Sequence, residues 1–274
     1  MRSLAVLVLA CAPLIASSQG RLARSVRIAE LPWTEARAIL DTSVVVVIPI
    51  GAEAKEHGPH LPLNNDFLLA EHFTRRVVEA TPVVLYPTLN YHFYPSFVDY
   101  PGSTTLRLET ARDMLVDIVR TIARHGPRRF YILNTGVSTL RALGPSRDTL
   151  TADGLVVRYT DILAVGKEAE DKVRQQKGGT HADEMETSLA LYMYPDKVRM
   201  ELARDDFHPG VSGRGLTPDS AIAARDGKTW SVTGTFGNAT LATREKGRVV
   251  AEAMVQGMLR EIAELRRTPL PARR

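Results

Sequence analysis

The chain has 274 residues, 44% of them hydrophobic and 24% charged, with a formal net charge of +4. This balance excludes a disordered tail, a collagen-like repeat and a polytopic membrane protein, and the length suffices to bury one large core. A sequence pI near 9.3 suits a nucleic-acid partner only where basic residues cluster with a recognition motif. Here they are scattered apart from Arg266, Arg267, Arg273 and Arg274, so no nucleic-acid binding is expected.

Arg2, the apolar run Leu4 to Ile15 and the small residues Ala16-Ser17-Ser18 read as a secretory signal over residues 1–18, leaving residues 19–274 as one α/β domain. The run is too short to span a bilayer comfortably. The expectation is an exported chain, periplasmic or secreted, with no stable membrane insertion after cleavage. Val8-Leu9-Ala10-Cys11 also resembles a lipobox, so lipid anchoring at Cys11 stands as an alternative. Cys11 is the only cysteine, and cleavage near Ser18 leaves neither a disulfide nor a cysteine nucleophile.

In chain order, Ile28 to Leu40 is amphipathic, with a helix start at Pro32-Trp33-Thr34. Val44 to Ile50 is a continuous, largely β-branched run ending at Gly51, suited to a central strand covered on both faces. A polar stretch with Gly and Pro follows from Gly51 to Asp66, then a helical pattern from Phe67 to Ala80 and a strand from Pro82 to Tyr86. Met114, Leu115, Ile118, Val119 and Ile122 mark a helix over Thr110 to His125, ended by Gly126-Pro127. Strands are expected at Arg129 to Leu133 and Leu155 to Tyr159. Helices are expected at Thr187 to Tyr194, stopped by Pro195, and at Leu241 to Leu265. Alternating strands and helices predict an α/β domain with a mainly parallel sheet. The loops leaving its strand ends, after Ile50 and after Leu133, are where a site is expected.

The first of these loops holds Glu53, Glu56, His57, His60 and Asp66 within fourteen residues. Imidazole and carboxylate together suit zinc, manganese or iron, and Pro59 and Pro62 stiffen the backbone that carries them. A solvated polar loop has the same composition. Gly178-Gly179-Thr180-His181-Ala182-Asp183-Glu184-Met185-Glu186 opens a helix, where the dipole alone favours acidic residues; His181 has no such explanation. Elsewhere, Glu71 and His72 fit a solvated helix face, His92 among aromatics fits a pocket wall, and His125 fits a helix C-terminus. His208 lies in a loop that nothing singles out. Asn134-Thr135-Gly136 is a strand-end turn able to offer N–H groups to an oxyanion. Ser138 has no base partner, and neither a Walker loop nor GxGxxG is present.

The run Gly51-Ala52, Glu56-His57-Gly58-Pro59-His60-Leu61-Pro62-Leu63 and Asp66 resembles the first signature of the creatininase family. His181-Ala182, Glu186-Thr187-Ser188 resembles its second. Pro101-Gly102-Ser103-Thr104, Gly234 to Thr240 and Glu245-Lys246-Gly247 are similar to further family segments, so the resemblance runs from about Val44 to Leu265. It implies a three-layer α/β/α sandwich, assembly as a homo-oligomer (a hexamer by analogy), and hydrolysis of a C–N bond in a cyclic or linear amide, or a deformylation. It also implies two divalent metals that share an aspartate and activate water. On this analogy Asp66 is the shared carboxylate, His57 a ligand and Glu186 a ligand or base. His181 is by the same analogy an acid/base or a substrate contact. From the residues themselves, His181 or Glu184 is expected to handle protons, Lys55 is a further catalytic candidate, and His60, His92 and Asn134 are candidate substrate contacts.

Two positions depart from the pattern. Lys55 stands where the family has Glu, and Gly136 where it has His. One outcome is that the Lys55 ammonium replaces a cation and pairs with Asp66, leaving a single zinc, manganese or iron on His57, Asp66 and Glu186. The other is that Glu53 or Glu56 swings in and two metals remain. The expected function is a metal-dependent amidohydrolase acting on a small amide. The alternative is a non-catalytic relative that binds a small molecule.

Overall fold

The computed structural model describes residues 22–207 and 233–272. The expected signal at 1–18, His208, Arg273 and Arg274 lie outside the described residues. In chain order the elements are β1 (Val26–Arg27), α1 (Trp33–Ile39), β2 (Val45–Ile50), α2 (Asn65–Ala80), β3 (Val84–Leu85), α3 (Leu108–Ala123), β4 (Arg129–Asn134), α4 (Leu140–Ala152), β5 (Val156–Tyr159), α5 (Lys167–Val173), α6 (Glu184–Met193), β6 (Asp205–Asp206), β7 (Gly237–Asn238) and α7 (Arg244–Arg267).

Strand β2 occupies the middle of the sheet, and all six of its residues are buried. Side chains alternate across a strand, so Val45 and Val47 enter one core while Val46, Ile48 and Ile50 enter the other. Strand β4 repeats the division, with Tyr131 and Leu133 on the first side and Phe130 and Ile132 on the second. The first core is closed by Leu69, Phe73 and Val77 of α2, Met185 and Leu189 of α6, and Val250, Met254 and Met258 of α7. The second is closed by Leu115, Val119 and Ile122 of α3 and Leu143 and Leu150 of α4. This is the three-layer α/β/α sandwich expected, with a five-stranded parallel sheet in the order β1-β3-β2-β4-β5.

The strand order places a crevice. After β2 the chain turns to α2 on one face, and after β4 it turns to α4 on the other. Ile50 pairs with Asn134 at the carboxyl edge, so the two departing loops open a gap between β2 and β4. Such switch points are where open α/β sheets bind ligands. A short antiparallel ladder, β6 with β7, is continued by a bridge between His181 and Phe236, which lays residues 233–238 over the second loop cluster.

Candidate metal and catalytic site

Strand β2 hands over to the site at Gly51. A Cβ there would stand 2.4 Å from the Asp66 carbonyl oxygen, so only glycine lets the strand end touch the start of α2. Phe67 N–H donates to Ala52 O at 3.0 Å and Lys55 N–H to Leu63 O at 3.0 Å, folding the loop back on itself. Helix α2 begins at Asn65, two residues before the apolar periodicity. Asp66 therefore sits in its first turn, where the helix dipole stabilises a carboxylate.

Asp66 is 1% exposed, and each of its oxygens meets a cationic or hydrogen-bonding group. Lys55 Nζ lies 2.7 Å from Oδ2, and His57 Nε2 lies 2.9 Å from Oδ1. Burial alone would raise this carboxyl, but Lys55 and His57 outweigh it and hold it well below the usual carboxylate range. His57 Nδ1 donates to the Lys55 carbonyl at 2.8 Å; a carbonyl only accepts, so the opposite nitrogen is the one turned to the acids. Glu186 Oε1 is 3.4 Å from that same Nε2. The Lys55 ammonium rests over the rings of Phe97 and Tyr94, 5.1 and 5.7 Å from their centroids.

Glu186 is delivered by α6. Asp183 caps this helix, its Oδ1 accepting from the N–H of Met185 at 2.9 Å and of Glu186 at 3.0 Å, so α6 starts three residues before the expected Thr187. Burial pushes the Asp183 carboxyl up to about 6. Glu186 Oε2 accepts from Ala182 N–H at 2.6 Å. Ala182 has φ of 47°, a left-handed conformation that disfavours a side chain. Glu186 Oε1 accepts from Asn65 Nδ2 at 3.0 Å, and Tyr194 Oη donates to Asn65 Oδ1 at 2.8 Å. His181, two residues before the cap, stacks on Phe97 at 4.0 Å between ring centroids and stands 5.2 Å from the His57 ring. Its Nε2 is 2.9 Å from Glu56 Oε2. Burial would raise the Glu56 carboxyl, but His181, His57 and the Gly58 N–H together bring it below its ordinary value.

Lys55, His57, Asp66, His181 and Glu186 are thus brought together. One nitrogen of His57 and one oxygen each of Asp66 and Glu186 all lie within 4.8 Å of one another. An imidazole with two carboxylates is a donor set that suits a divalent transition metal.

Other sequence candidates fall elsewhere. The Glu184 carboxylate accepts from the N–H groups of Gln175 and Gln176 and pairs with Lys246 Nζ at 2.5 Å; those partners occupy it as a brace between α6 and α7, not as a proton carrier beside His57. Asn134 is fully buried, its amide donating to Gly136 O at 2.7 Å and its Oδ1 accepting from Thr139 Oγ1 at 2.6 Å, which leaves it no reach toward a substrate. The neighbouring turn has no oxyanion donors at its first two positions, because Thr135 N–H goes to Ile50 O and Gly136 N–H to Asn134 Oδ1. His92 is 0% exposed and forms no pocket rim; burial pushes it down to about 4. His60 is equally enclosed, with Nε2 2.7 Å from Thr187 Oγ1, and burial takes it to about 4 as well. Glu53 accepts from Asn90 at the surface and Glu56 faces His181, so neither swings to Asp66. Glu71 and His72, expected on a solvated face, are half-buried; Thr88 donates to Glu71, and His72 packs edge-on against Tyr192.

Sequence reading missed Tyr94, Phe97, Asn65 and Tyr194, which orient the charged groups. It also missed a pocket of about 540 Å³ beside Glu186, lined by residues from α2, α5, α6, α7 and the loops between them, including those after β4 and β5. The Glu186 side chain is 17% exposed against 0% for His57 and 2% for Asp66, so it is the one of the three that opens onto this space.

Residues 29–262 match the family model described as creatinine amidohydrolase. The chain is 28% identical over 262 residues to the creatinine amidohydrolase of Pseudomonas putida, covering 89% of this chain and 98% of that protein. It is 27% identical over 248 residues to the mycofactocin precursor peptide peptidase of Mycobacterium tuberculosis, covering 86% and 91%. A solved structure of creatininase with Mn superposes with a TM-score of 0.70 at 27% identity, covering 88% of this chain and 98% of that one.

Proposed function

The chain belongs to the creatininase family, and from that premise we propose that it is a metal-dependent hydrolase cleaving the C–N bond of an amide with one divalent cation, zinc, manganese or iron, per chain. The observation that carries the reading is the meeting of His57, Asp66 and Glu186 ligand atoms within 4.8 Å, while the second oxygen of Asp66 is taken by an ammonium 2.7 Å away. Of the three buried or half-buried carboxylates here, Asp66 pairs with the Lys55 ammonium, while Glu186 and Glu56 face the imidazoles of His57 and His181. The surplus of negative charge suits one further divalent cation.

A cation held by these residues supplies Lewis acidity to the scissile carbonyl and acidity to water. The chain's own groups do the rest. His57 is fixed through its Nδ1–H on the Lys55 carbonyl, so that Nε2 points at Asp66 and Glu186. Lys55 keeps Asp66 ionised. His181, paired with Glu56 at 2.9 Å and stacked on Phe97, is the group suited to carry a proton to the departing nitrogen, its ring held in place by the carboxylate behind it.

Metal content of the chain purified without chelators tests this reading. About one ion per chain, lost together with turnover in Asp66→Ala, supports it. Two ions would mean that a further residue completes a second site. No uptake of zinc, manganese or iron would favour a non-catalytic binding protein of the same fold. Residues 1–18 are proposed to export the chain, and it is proposed to work as a homo-oligomer; mass spectrometry of the mature N-terminus and light scattering check these two points.

A further inference from the structure

The pocket beside Glu186 has a composition unlike that of the charged cluster it adjoins. It is lined by the buried Met185, Val250 and Met254 and by the half-buried Val137, Ile162 and Val165. Its charged lining, Lys167, Glu170, Arg174, Asp183 and Glu186, holds one more acid than base and is largely engaged within the protein. Arg174 pairs with Glu170 at 2.7 Å and approaches Asp183 at 3.4 Å, and Lys167 pairs with Asp171. At about 540 Å³ it falls within the roughly 300–1,000 Å³ of small-molecule pockets, and it reaches the cluster along Glu186.

We propose that this pocket receives a bulky apolar substituent carried by the scissile amide, so that the substrate is a peptide-like amide of a large aliphatic or aromatic residue and not a small polar cyclic amide. The inference rests on the hydrolase reading above for the chemistry and on the pocket alone for the preference. The reaction balances as hydrolysis: the water oxygen bonds to the carbonyl carbon, the C–N bond breaks, and the amine leaves with a proton. A polar substituent would find Thr135, Thr180 and the charged side chains, but most of the lining is aliphatic and thioether surface that offers little to a hydrogen-bonding group.

Equilibrium binding to the metal-loaded full chain, by calorimetry, tests the preference separately from turnover. The probes are N-acetylglycinamide, N-acetylleucinamide, N-acetylphenylalaninamide and creatinine. Leucine and phenylalanine amides are expected to bind at least about tenfold more tightly than the glycine amide, the gain from burying one large side chain. Ile162→Trp, on a half-buried loop position, is expected to collapse that ratio toward one while metal content stays unchanged. Equal binding of all three amides, or tighter binding of creatinine, overturns the proposal. Graded binding without hydrolysis of any probe upholds the pocket and defeats the hydrolase reading instead.

Discussion

At the scale of single residues, the decisive side chain is Lys55. Its ammonium sits where a positive charge is needed to keep Asp66 ionised in a buried place, and it is held by rings on one side and the carboxylate on the other. Removing one member of a buried pair leaves the other uncompensated. Lys55→Glu makes this quantitative: it sets two carboxylates side by side, and the metal content of the loaded protein is expected to rise from about one ion per chain toward two. A variant that still binds one ion, with unaltered affinity, would show that the ammonium does not stand in for a cation. Lys55, His57, Asp66, His181 and Glu186 were legible in the sequence because ionisable residues crowd two short segments that leave strand and helix ends. Tyr94, Phe97 and Tyr194 were not legible, because an aromatic ring looks the same in a sequence whether it packs a core or bears on an ammonium.

At the scale of elements, the site depends on two helix starts. Helix periodicity locates the apolar face of a helix, not its first turn, so α2 and α6 begin two and three residues earlier than expected. Those extra residues are Asn65 and Asp66 in α2, and Glu184, Met185 and Glu186 in α6. The cap of α6 has a measurable role. Asp183→Ala should cost about 1 kcal/mol of stability, in the range for a lost N-cap, and should also weaken metal retention because Glu186 loses the turn that aims it. Chemical denaturation and a chelator competition read the two effects; loss of stability with undiminished metal affinity would separate the cap from the site. Two helices escaped sequence reading altogether. Helix α4 carries Gly144-Pro145 in its interior, a pair that argues against helix. Helix α5 has no buried residue and so no apolar stripe to find.

At the scale of the whole molecule, the three layers were legible because β2 and β4 are apolar on both faces and because helices separate the strands. The pocket was not, since its lining comes from segments as far apart as Leu69 and Met254. The fold also stores a global pH dependence. His92 and His60 are enclosed and neutral, each pushed down to about 4 from 6.5 by burial. His72 is lowered to about 4 as well. Below pH 6.5 the unfolded chain binds protons at these three histidines that the folded chain refuses, so their contribution is full above that value and declines as pH falls toward 4; Asp183, raised to about 6, binds its proton more readily when folded and offsets part of that loss. Asp66, depressed in the folded state, adds a further loss only below the ordinary carboxylate range. The acid limb is therefore expected to begin near pH 6.5, and His92→Leu should remove roughly 3 kcal/mol of its span between pH 7.5 and 4. Urea midpoints at the two pH values check this; an unchanged slope in the variant would mean that His92 finds a proton partner when folded.

The tethered charge of Lys55 has a consequence for how the protein meets its environment. A metal ion exchanges with the surroundings and can be stripped by any competing chelator, whereas an ammonium on a side chain arrives with the polypeptide. The charge that Lys55 sets against Asp66 is therefore supplied at synthesis and survives scarcity. On the one-cation reading proposed above, metal loading is expected to follow one hyperbolic isotherm with no order of addition. In a metal-depleted medium one added equivalent of cation is then expected to restore the site in a single step, with Lys55 already in place on Asp66.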